Sequence, residues 1–172
     1  MTRFPQLILG FGFGICLAAS VAIDAVAGPI NAAFTASVST LEYLQPSLGT
    51  GCGVLPLAGI SVGSGTASHL GRVAIVATDC VAPFDGKFVF SNGKMTFTAA
   101  NGDTLRAEYM GEFVPQTGNV YTINGGTFRI IGGTGQFTRA TGGGELRGTE
   151  TLGSSLLEPA RGQLQAIGTI SY

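Results

Sequence analysis

Thr104-Leu105-Arg106-Ala107-Glu108-Tyr109-Met110-Gly111-Glu112-Phe113 carries a two-residue alternation along its whole length. Leu105, Ala107, Tyr109, Gly111 and Phe113 share one face, and Thr104, Arg106, Glu108, Met110 and Glu112 share the other. A period of two marks a strand half-buried in a sheet, so the first face points to a core or lumen. The turn residues Asn101-Gly102-Asp103 lead into this strand. Upstream, 86–90 and 95–99 flank Ser91-Asn92-Gly93-Lys94, which reads as a tight hairpin because Asn-Gly tolerates positive φ. Further strands are expected at 34–38, 69–80, 120–123, 127–131, 144–152 and 163–172. In the last, Leu164, Ala166, Gly168, Ile170 and Tyr172 oppose Gln163, Gln165, Ile167 and Thr169.

No stretch after Pro29 sustains a helical period, so the fold class is all-β. Roughly eight short strands make a sandwich or a barrel. A closed barrel removes the edges that a glycine-rich, charge-poor sheet tolerates poorly. The expectation is one eight-stranded antiparallel β-barrel over 28–172. Several inward positions are Ala or Gly, which predicts a partly hollow lumen. Segment 45–68, with Pro46, Pro56 and repeated glycines, reads as a long irregular loop.

Composition narrows the function classes. Of 172 residues, 45% are hydrophobic and 11% charged, with 28 Gly, and Lys+Arg 9 against Asp+Glu 10 give a net charge of −1. The length suits one domain. No basic surplus exists to neutralise phosphates, which argues against a nucleic-acid partner.

Residues 1–27 read as a secretory signal peptide. Arg3 precedes an apolar run over 7–23, and Ala25-Val26-Ala27 supplies the small residues at a cleavage site. The run lies at the short limit for a membrane span and contains Gly10, Gly12 and Gly14. No later run is long enough to span, so no stable membrane anchor is expected after cleavage. The protein is therefore expected to be exported, to the periplasm or outside the cell. Cys16 leaves with the leader, and the remaining pair, Cys52 and Cys80, reads as a disulfide. Two cysteines and a single histidine do not make zinc spacing, so no metal site is expected.

The stretch Gly132-Gly133-Thr134-Gly135-Gln136-Phe137-Thr138-Arg139-Ala140-Thr141-Gly142 resembles the GGTGxFxxAxG segment of dirigent proteins and, more loosely, of allene oxide cyclases. Asn101-Gly102-Asp103-Thr104-Leu105 looks like the NGxTL turn of the dirigent family, and Gly168-Thr169-Ile170-Ser171-Tyr172 is compatible with its final strand. The likeness covers roughly 70–172. Gly132, Gly133, Thr134, Gly135 and Gly142 would form its turn, and Phe137 would plug the barrel end. The resemblance implies an eight-stranded barrel with an apolar lumen, often a homotrimer, that works without metal or nucleotide cofactors. Such proteins hold a reactive small molecule and steer its coupling or ring closure, using Asp, Arg and Tyr near the cavity.

Candidate chemistry is sparse. His69, the single histidine, is a possible proton shuttle at the barrel mouth or a polar residue satisfied at a strand start. Tyr109, inward with Leu105 and Phe113, is placed either to donate a hydrogen bond to a ligand or to serve as core. Leu105, Tyr109 and Phe113 are the expected ligand-contacting residues. The glycine runs at 132–135 and 142–144 lack the Lys-Ser/Thr of a phosphate cradle and read as turns. Asp79, beside Cys80, reads as loop chemistry. Glu145, Glu150, Arg129, Arg139 and Arg147 are assigned outward. No pair of carboxylates stands out on an apolar strand face. The leading expectation is a barrel that binds a small apolar molecule in its lumen. The rivals are a structural, oligomeric interaction module and a cofactor-free cyclase, isomerase or coupling director.

Overall fold

The computed structural model describes residues 31–155 and 157–172; the expected leader, 1–27, lies outside them. The described chain is a closed eight-stranded barrel. Its strands are β1 (Asn31–Pro46), β2 (Leu57–Ala67), β3 (Gly71–Phe84), β4 (Lys87–Ala99), β5 (Thr104–Pro115), β6 (Val120–Gly133), β7 (Thr141–Thr151) and β8 (Ala160–Ser171). Each is antiparallel to the next, and β8 closes on β1 from Asn31↔Ser171 to Glu42↔Ala160. The all-β barrel expected from the alternation is what forms.

The strand boundaries differ from the expected ones in instructive ways. Segment 45–68 is not one irregular loop, because Leu57–Ala67 is strand β2 and only 47–56 is irregular. Its glycines alternate with Ser, Val and Thr, so the period of two was present but hidden by residues that carry little apolar signal. The Asn92-Gly93 hairpin does not form either. Strand β4 runs straight through it, and the hairpin turn is Asp85-Gly86, with φ of 51° and 75°. A two-residue turn of this type needs two left-handed residues. Asn92 alone adopts that conformation here, at φ 54°, and makes a β-bulge. Strands expected at 120–123 and 127–131 are likewise one strand, β6, interrupted by an irregularity between Thr122 and Thr127. The glycines at 142–144 belong to β7 and are not a turn.

Apolar burial concentrates toward the end of the barrel where β1 begins. Phe34, 1% exposed, packs on Phe97 and Phe128, with ring centroids 6.2 and 5.7 Å apart. Phe137, in the short 3-10 turn Gly135–Phe137, is buried against Tyr172 at 4.9 Å. The Ala and Gly positions do not leave this half hollow. A Cβ at Gly168 would stand 2.1 Å from the Gly143 carbonyl oxygen, so the small residue lets neighbouring strands approach rather than making room for a ligand. Toward the other end Phe90 stacks on Phe113 at 4.7 Å, and Phe88 on Tyr121 at 5.6 Å.

Cys52 and Cys80 form a disulfide, the pairing expected from the sequence. It ties 47–56 to β3. Among the described residues, no helix is long and apolar enough to cross a membrane.

Candidate functional site

Four strands each send one acidic or phenolic side chain into the second half of the lumen. Glu42 on β1, Asp79 on β3 and Glu150 on β7 are 4–6% exposed, and Tyr109 on β5 is partly buried beside them. Each continues the inward parity of its strand. Glu42 follows Phe34, Ala36, Val38 and Thr40; Asp79 follows Val73, Ile75 and Ala77; Glu150 follows Leu146 and Gly148. This corrects the outward placement of Glu150 and the loop reading of Asp79. The signal that finds them is parity alone. It was overridden by the general rule that charged side chains face water.

Tyr109 Oη donates a hydrogen bond to Asp79 Oδ2 at 3.0 Å. Asp79 Oδ1 is buried and has no hydrogen-bond partner among the described residues. Gly59 on β2 makes room for the arrangement. A Cβ there would lie 2.2 Å from Glu42 Oε1 and 2.3 Å from Asp79 Oδ1, so the two carboxyls face one another across the missing side chain.

Burial sets the protonation of this cluster. Loss of water is the largest effect on Asp79, and the nearby charge of Glu42 is the next; together they push its carboxyl from 3.8 up to about 7. Burial raises Glu150 to about 6. Glu42 is pushed well above the usual carboxylate range by burial and then by Glu150. The Tyr109 hydroxyl is raised by burial first and by Asp79 next. A carboxyl held near neutrality beside a phenol can give, accept or share a proton at physiological pH.

The cluster is reached from outside. A cleft of about 790 Å³ opens over Asp79 and Tyr109, roofed by Thr50, Gly51 and Cys52 and walled by Ile60 and Met110. Its floor lies where the strand registers slip: between Thr78 and Cys80 on β3, Phe90 and Gly93 on β4, and Met110 and Glu112 on β5. Bulges side by side on neighbouring strands bend the sheet locally and re-aim side chains. The disulfide at Cys80, the residue after Asp79, anchors the roof.

Of the expected ligand-contacting residues, Tyr109 alone lines the cleft. Leu105 is fully buried in the core, and Phe113 packs on Phe90. His69 lies elsewhere, exposed in the β2–β3 turn at φ 68°. Its Nε2 is 2.9 Å from the Ala33 carbonyl oxygen and its Nδ1 is 3.1 Å from Tyr172 Oη. A carbonyl can only accept, so Nε2 carries the proton and Nδ1 accepts from the phenol. The structure thus holds His69 in a terminal turn and does not bring it to Tyr109. The motif at 132–142 also sits at that end, where Thr134 Oγ1 accepts from the Thr104 amide at 2.8 Å. The outward assignments of Glu108, Glu112 and Glu145 hold: they pair with Arg129, Lys87 and Arg147 at 2.5, 2.7 and 2.6 Å. Among the described residues, no three His, Cys, Asp or Glu side chains converge as a metal site.

No protein-family model and no curated protein matches this sequence. Among solved structures, the chain is similar to a pterocarpan synthase dirigent protein at 15% identity and a TM-score of 0.43, over 90% of this chain and 98% of that one. A likeness of that size carries no statement about ligand or chemistry.

Proposed function

We propose that the protein is an exported barrel that binds a small organic molecule in the cleft above Asp79 and Tyr109. The observation that carries this reading is a cleft of about 790 Å³ that ends on a buried carboxyl–phenol pair. Its volume falls within the range of about 300–1,000 Å³ usual for small-molecule sites. Ile60 and Met110 offer the apolar wall, and Asp79 with Tyr109 the few polar groups that orient a ligand. The site therefore differs from the axial lumen expected from the sequence. Export rests on the leader pattern of 1–27 and is supported by the disulfide, which suits an oxidising compartment.

Native mass spectra of the detergent-free protein test the binding reading, together with titration of an environment-sensitive apolar dye. Met110 is exposed on the cleft wall, so Met110→Arg should leave the fold intact and abolish dye binding. A clean mass, with dye binding absent or indifferent to Met110→Arg, would sink the reading.

A cofactor-free isomerase or cyclase is the second reading, favoured by the carboxyl held at about 7 beside Tyr109. It requires a rate–pH profile with a limb near pH 7 that Asp79→Asn removes. Self-association, including the homotrimer, rests on a different feature. Tyr43, Ile60, Val62 and Val76 form exposed neighbouring pairs on the outside of β1–β3, and sedimentation equilibrium decides it.

A further inference from the structure

We propose that the cleft selects a cationic ligand, an amine with an apolar body, whose ammonium group is held by Asp79 with Glu42 and Glu150 behind it. This names the ligand class of the site read above and rests on that reading. The cluster is three carboxyls without a counter-cation. The groups that face it are Glu42 from β1, Ser61 and Gly59 from β2, Asp79 from β3, Tyr109 from β5 and Glu150 from β7. No Lys, Arg or His among the described residues is one of them. Buried carboxyls in that position either keep their protons or acquire a cation. Asp79 Oδ1 adds an independent sign: it is buried without a well-formed hydrogen bond among the described residues, the Gly59 amide being the backbone donor that faces the carboxyl, on a side chain 6% exposed.

An ammonium brings three N–H donors and one positive charge, which match both deficits. Asp79 lines the cleft, and its terminal torsion is soft, so a small rotation presents an oxygen to a ligand. The Tyr109 ring lines the same cleft and favours a cation over a neutral group. The apolar body then lies between Ile60 and Met110, whose exposed side chains wall the entrance. A carboxylate ligand would add a fourth anion to the cluster. Lys94 and Arg129 stand on the rim, Arg129 already engaged by Glu108 at 2.5 Å.

Isothermal titration of the purified, oxidised protein with hexylamine, 1-hexanol and hexanoate separates the cases. Hexylamine should bind about tenfold more tightly than hexanol at pH 7.5, because a hydrogen bond to a charged group is worth more than a neutral one. Its affinity should rise as pH increases through about 7, where Asp79 ionises; Glu150, raised to about 6, is already ionised there, and Tyr109 keeps its proton. Asp79→Asn should bring hexylamine down to the level of hexanol; circular dichroism reports whether the variant folds, and Glu42→Gln carries the same test if it does not. Lys94→Ala should strengthen amine binding alone. Hexanol or hexanoate binding as tightly as hexylamine, with all binding lost in Met110→Arg, would overturn the amine proposal and leave the cleft reading standing. Binding of no probe, or binding indifferent to Met110→Arg, would overturn both.

Discussion

Raising the pH from about 4 to about 8 should weaken this barrel, and the size of the effect follows from Asp79. Its carboxyl moves from 3.8 to about 7 on folding, through burial first and the charge of Glu42 second. Below pH 4 the group is protonated in both states, and the folded state bears no penalty. Between 4 and 7 the unfolded chain has released the proton and the folded chain retains it, so each step in pH favours unfolding. Above about 7 both states are ionised and the loss is complete. A rise of about three units at about 1.36 kcal/mol each is about 4 kcal/mol. Glu150, raised from 4.5 to about 6, acts in the same direction with about 2 kcal/mol. The two contributions overlap, because both sites interact with Glu42. Set against a usual total of about 5–15 kcal/mol, the effect is large. Glu112 and Glu145, held by Lys87 and Arg147, and Glu158, held by Ser154, are lowered and act oppositely, over their own more acidic range. Equilibrium urea unfolding followed by far-ultraviolet circular dichroism at pH 4 to 8 measures the slope. Asp79→Asn preserves shape without a titrating proton and should remove most of it. Stability that stays flat or rises between pH 4 and 7, or an unchanged slope in Asp79→Asn, would refute the reasoning.

Three further outcomes are expected. Reducing the Cys52–Cys80 bridge, which closes a sequence separation of 28 residues, should cost about 3–4 kcal/mol, read as a lower Tm in calorimetry with reductant. Phe137→Ala empties a position 1% exposed under Tyr172 and should cost about 3–5 kcal/mol in urea unfolding. Tyr109→Phe removes the hydroxyl that donates to Asp79 Oδ2, a bond that lowers the carboxyl, so the Asp79 titration followed by carbon NMR should move upward.

Local pattern in the sequence determined more of the fold than of the site. The alternation of Leu105, Ala107, Tyr109 and Phe113 survives intact as an inward face, because side chains on a strand project with a period that only a slip of register can change. The Asn101–Asp103 turn is equally local: the Asp103 amide donates to Asn101 Oδ1 at 3.0 Å within the turn itself. Cys52 and Cys80 could be paired because Cys16, the third cysteine of the sequence, falls in the expected leader. By contrast, Asn92-Gly93 and Asp85-Gly86 carry similar turn chemistry. Only the pairing of β4 with both β3 and β5 turned the first into a bulge and the second into the hairpin. The site lies still further from local pattern. Glu42, Asp79, Tyr109 and Glu150 sit on four different strands, and no spacing in the chain relates them. A carboxylate on an isolated strand is solvated on either face. It becomes a buried acid only when closure of β8 on β1 removes water from all inward positions together.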